Sequence, residues 1–134
     1  MIGRGRSDDL PGGSPDYLAV VGSRMLSSEL GEMVAGTNNK QKKPLTLDYT
    51  FDEPTSWPGY NNIYGRSDHA NYARYNIPIA FFFTGLHRDY HQVTDEPQYI
   101  DYPHYMRITN YIFDLTKDIA NSPTRPKVDR GPRM

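Results

Sequence analysis

Three of the four histidines in this sequence fall in two short polar clusters. The first, Ser67-Asp68-His69, stands where a helix can begin. The second, His87-Arg88-Asp89-Tyr90-His91, is followed four residues later by Asp95. A neutral imidazole is the commonest side-chain metal ligand, and a carboxylate beside it fixes its tautomer and raises its basicity. The second cluster therefore has the composition of a metal site, although the same composition also makes an ordinary hydrogen-bonding loop. The chain contains no cysteine, which removes thiol nucleophiles, disulfides and thiolate-held zinc. Any metal must be held by His, Asp or Glu.

The elements that must position these clusters read as an alternation of strands and helices. Tyr17 to Gly22 is a short apolar run closed by glycine, the pattern of a strand buried on both faces. Ser27 or Ser28 can cap a helix to about Ala35, with Glu29 and Glu32 near its positive end and Gly36 as its stop. Asn38 to Lys43 reads as a solvated turn, and Leu45 to Thr50 as a strand. Asp52 to Tyr64, with two prolines and a glycine, reads as a surface loop that Trp57 pins or whose pocket it lines. Ser67 caps an expected helix from Asp68 to Tyr75.

Ile77 to Thr84 is the most apolar run and the expected centre of the sheet, with Gly85 to Ile100 forming a loop beyond its C-terminal end. Pro103 suits a helix start, and Ile108, Ile112, Leu115 and Ile119 form one apolar stripe behind it. Such an order predicts an α/β fold with a mostly parallel central sheet, in which ligands bind beyond the carboxyl ends of strands. Residues 1–121 read as one domain and 122–134 as a flexible tail.

At 134 residues and a net charge of −1, with both signs interspersed, the chain has no basic stripe for nucleic acid. No apolar run approaches the roughly 18 residues needed to span a bilayer. Eleven tyrosines, eleven prolines and eleven glycines describe a loop-rich chain whose rings keep a polar edge.

Order and spacing add a resemblance that covers most of the chain. Ser67-Asp68-His69, Asn76-Ile77-Pro78, Phe82-Phe83-Thr84-Gly85, Tyr90-His91 and Asp95 follow one another as they do in the C-terminal half of the catalytic domain of peptidase family M28, the co-catalytic di-zinc aminopeptidases. The resemblance implies the C-terminal portion of a zinc-aminopeptidase-like (phosphorylase/hydrolase-like) three-layer α/β/α domain. It implies that His91 is a ligand of one of two zinc ions, and that Tyr90 corresponds to the tyrosine that steadies the developing oxyanion in some members. Asp95 then orders the loop behind His91, and Asp68 and His69 lie near the substrate entrance. Asp68 is equally suited to capping. His87, Asp89 and His104 have no ligand role in the family pattern and are expected at the surface.

In the family, a further histidine, a bridging aspartate, other carboxylates and a glutamate base come earlier in the sequence. The phrase Met-Ile-Gly-Arg directly follows one aspartate ligand there, and here Met1-Ile2-Gly3-Arg4 begins the chain. The expectation is a fragment that lacks the N-terminal half of its domain, is inactive alone and is poorly stable. The implied substrate is a peptide or protein attacked at its N-terminus by a zinc-activated water, and the implied parent is secreted or periplasmic. Two alternatives share the fold: a non-catalytic binding module and a glutaminyl-cyclase-like acyltransferase. The intact Tyr-His-Asp loop disfavours the first, and the Phe-Phe-Thr-Gly ending the second.

Overall fold

The computed structural model describes residues 1–5, 14–52 and 63–130. Trp57 and the expected tail residues 131–134 lie outside the described residues. Three strands form one sheet: β1 (Tyr17–Val21), β2 (Thr46–Asp48) and β3 (Phe81–Phe83), in the order β2-β1-β3. β1 pairs in parallel with β2, with Tyr17 opposite Thr46, and antiparallel with β3, with Ala19 opposite Phe83. The sheet is therefore mixed.

The centre is β1, not the run from Ile77 to Thr84. Only Phe81–Phe83 of that run is strand, Phe81 and Phe82 are half-buried, and Ile77 is 40% exposed. Pro78 cannot donate to a ladder and Asn76 turns through a φ of 58°, so the run enters the sheet late.

Alternation along β1 divides the core. Leu18 and Val20 face one side, where they meet Leu30 and Val34 of α1 (Ser28–Asn39) and Ile108, Tyr111 and Leu115 of α3 (Tyr102–Ala120). Ala19 and Val21 face the other, against Met25, Leu26, Ile63, Tyr64, Phe83 and Ala73 of the short α2 (His69–Ala73). Both faces of β1 are thus fully covered, each large side chain contributing about 1.5–3 kcal/mol by leaving water.

Ser27 caps α1 by accepting from the Leu30 amide at 3.1 Å, and the helix runs past Gly36 to Asn39. No side chain crowds Gly36, and Thr37 donates to Asp118 of α3 at 2.8 Å, so tertiary contacts carry the last turn. Asp101 caps α3, Pro103 sits in its first turn, and the 108/112/115/119 stripe faces the core. Tyr111 donates to the Val34 carbonyl at 2.8 Å and meets Phe82 edge to face.

Residues 127–130 return to α1. Asp129 accepts from the Ser28 amide at 2.9 Å, Arg130 donates to the Arg24 carbonyl, and the Lys127 amide donates to Glu29. Residues 127–130 thus lie on the first turn of α1, where negative charge meets the helix dipole.

Candidate active site

β3 delivers the chain to Thr84 and Gly85. Gly85 has a φ of 101°, which a side chain tolerates poorly, and the strand ends in a turn there. Turn hydrogen bonds then order the loop: Tyr90 to the His87 carbonyl (2.9 Å), Gln92 to Asp89 (2.9 Å) and Asp95 to Gln92 (3.1 Å). At the apex His91 has a φ of 58°. This left-handed conformation costs a non-glycine residue about 1–2 kcal/mol and persists where surrounding structure fixes it.

What fixes it lies at the other end of the sequence. Arg4 is 6% exposed and donates to Asp89 Oδ2 at 3.0 Å and to Asp95 Oδ1 at 3.1 Å, with its guanidinium over the Tyr99 ring. Thr94 donates to the other oxygen of Asp89 at 2.8 Å. The Thr94 hydroxyl and the Arg4 guanidinium hold the Asp89 carboxyl below its usual range. Main-chain bonds seat the same segment: Thr84 donates to the Met1 carbonyl and Asp101 to that of Gly3. Residues 1–5 thus bind both ends of the loop.

His91 is exposed, and its ring stacks on Tyr90 at 4.0 Å and 17°. Both line a cavity of about 230 Å³ whose walls include Ile63, Phe81, Phe83 and Leu86, with Met1, Arg66 and Ser67 also on its lining. Asp95 is held by Arg4 and lies 3.9 Å from His87 Nε2. Asp68 is exposed and makes no capping bond, although it occupies the N-cap position of α2. The His69 ring packs on Phe81 at 4.6 Å with Nε2 at 3.2 Å from the Ile63 carbonyl, so it is turned into the fold. Arg66 and Ser67 of that stretch reach the cavity lining instead.

Three expected surface residues are buried. His87 is 8% and Asp89 7% exposed, because Arg4 draws Asp89 inward and the loop folds over His87. His104 is 1% exposed, its Nε2 donating to the Tyr17 carbonyl at 2.8 Å. That bond puts the proton on Nε2. Nδ1 is left buried without a partner against Gly5, where a Cβ would lie 2.3 Å away. Burial lowers the His104 pKa, opposed by the Tyr17 carbonyl.

Arg4 and Arg66 were not singled out from the sequence. Arg4 was visible only within the Met-Ile-Gly-Arg phrase, and nothing local marks either residue as belonging to the site. Among the described residues no three His, Asp or Glu side chains gather as a metal site. One imidazole does not hold a catalytic zinc, which ordinarily takes three protein ligands. The described residues alone do not fit the ion.

No curated protein and no solved structure matches the chain. The family model described as Peptidase family M28 matches residues 16–116, from the start of β1 well into α3 and through the whole His91 loop. With three quarters of its length in that match, the chain belongs to peptidase family M28, a family of hydrolases of the metallopeptidase type.

Proposed function

We propose that this chain is the C-terminal, His91-bearing part of a zinc-dependent aminopeptidase with a three-layer α/β/α catalytic domain. The other ligands of its two zinc ions and the general base come from outside the described residues, and the isolated chain is inactive. One observation carries this reading: the loop presents His91 in a left-handed turn, stacked on Tyr90, at the lining of a cavity. A buried ion pair with residues 1–5 holds that loop. The arrangement fits a ligand held ready rather than a loop selected only for packing, which gains nothing from an exposed, left-handed histidine.

In this reading His91 offers its imidazole to the metal. Tyr90 donates its hydroxyl to the oxygen that becomes negative at the scissile carbonyl, as preorganised donors do. Asp95 acts through Arg4 and keeps the loop closed behind His91. Asp68 lies at the outer approach for a peptide N-terminus, and His69 supports that approach from within the fold.

The test uses the polypeptide that carries the remaining ligands. His91→Ala is expected to abolish hydrolysis of an aminoacyl p-nitroanilide and to lower bound zinc by one of two equivalents. Full zinc content with an unchanged rate in that variant overturns the assignment.

A further inference from the structure

The cavity beside Tyr90 and His91 is graded from a dry floor to a wet mouth. Phe83 is 2% and Ile63 7% exposed, while Arg66, Ser67 and His91 are exposed. Its volume of about 230 Å³ exceeds the roughly 150 Å³ that accepts benzene. It falls short of the roughly 300 Å³ at which drug-sized pockets begin. One branched or aromatic side chain therefore fills it, with its tip on Phe83 and its backbone at the mouth.

The mouth carries a charge the fold does not use. Arg4 is committed to Asp89 and Asp95, Arg107 to Asp16, and Arg24 lies over Tyr49. Among the described residues, the Arg66 guanidinium has no ion-pair or hydrogen-bond partner. Among the described residues no Asp or Glu lines the cavity. An arginine held unpaired beside an apolar pocket suits a planar anion, which its fork can grip in bidentate fashion.

We propose that Arg66 is a specificity-determining residue: the cavity takes an apolar peptide side chain, and Arg66 pairs with a carboxylate adjoining it. Peptide as the ligand rests on the metallopeptidase reading. The carboxylate has two possible sources, the C-terminus of the peptide or the side chain of a neighbouring acidic residue. Both present a carboxylate, the first on the Cα of the residue in the cavity and the second several bonds further along the peptide.

Binding, not turnover, tests this. The chain is titrated at neutral pH and low salt with two isosteric pairs, following the backbone amide signals of Tyr90 and His91 by NMR. One pair is N-acetyl-leucine and N-acetyl-leucinamide; the other is N-acetyl-Leu-Glu-amide and N-acetyl-Leu-Gln-amide. The acidic member of at least one pair is expected to bind about threefold to fivefold tighter, the range of an exposed ion pair, and to lose that margin in high salt.

Preference in the first pair alone identifies the C-terminal carboxylate, and in the second alone the acidic side chain. Arg66→Gln is expected to abolish the preference, and Arg66→Glu to transfer it to N-acetyl-Leu-Lys-amide. Because Arg66 is exposed and unpaired, neither change disturbs the fold. Equal binding within both pairs, or a preference that survives Arg66→Gln, overturns the proposal. N-acetyl-alanine binding as tightly as N-acetyl-leucine removes its apolar half. No turnover is involved, so these outcomes leave the zinc assignment of His91 untouched, and loss of that assignment leaves a measured preference standing.

Discussion

Arg4 and Asp89, 85 positions apart in the sequence, meet at 3.0 Å with both side chains at most a tenth exposed. Buried ion pairs of this kind cost desolvation and are weak stabilisers on balance, but removing one partner leaves the other charge uncompensated. Their use is to fix register. Here the register is between residues 1–5 and the loop that carries His91.

Arg4→Met therefore lowers the melting temperature by at least about 5 °C, the shift that about 1 kcal/mol makes in a domain of this size. Adding Asp89→Asn, which removes the stranded charge, restores part of the loss. Thermal unfolding followed by circular dichroism checks both variants. Additive losses in the double variant contradict the pairing.

His91 also makes a backbone prediction. At a φ of 58°, glycine carries no steric penalty and alanine does. His91→Gly is expected to be about 1 kcal/mol more stable than His91→Ala in urea unfolding, while both variants lose the imidazole. Equal stability contradicts the left-handed turn.

His104 gives the chain a pH dependence of definite sign. Its folded pKa lies below the ordinary value of about 6.5, so the unfolded chain binds the proton more readily. The stability His104 contributes is complete above about pH 6.5 and is lost as pH falls through the lowered folded value. The same conclusion follows from Nδ1, which on protonation finds no acceptor beside Gly5. His104→Gln, which keeps a donor for the Tyr17 carbonyl, is expected to flatten the decline in melting temperature between pH 7 and pH 5. An unchanged slope contradicts it.

The two faces of α3 differ in consequence. Leu115→Ala, at 3% exposure in the core, costs about 2–5 kcal/mol, while Phe113→Ala, at 67% exposure, stays within about 0.5 kcal/mol. Comparable losses from the two contradict the packing of α3 on α1 and β1.

Local pattern made part of this fold legible. The apolar run from Tyr17 and the 108/112/115/119 stripe announced β1 and α3, since each depends on spacing within a few residues. The Ile77 to Thr84 run misled for the converse reason: apolar composition does not say whether Pro78 will let a segment join the ladder or at which edge. The burial of Asp89 and His104 was illegible because the partners are distant. Arg4 lies 85 and 91 positions from its two carboxylates, and Tyr17 lies 87 from His104. At the site, the spacing of Tyr90, His91 and Asp95 was visible, whereas the left-handed backbone of His91 and the exposed Arg66 at the cavity mouth exist only in three dimensions.

The central claim is that His91 is one ligand of a zinc centre, and the zinc content of the polypeptide that carries the remaining ligands tests it most directly. The account predicts that His91→Ala lowers bound zinc by one of two equivalents and abolishes hydrolysis of an aminoacyl p-nitroanilide. Full zinc content with an unchanged rate in that variant contradicts it.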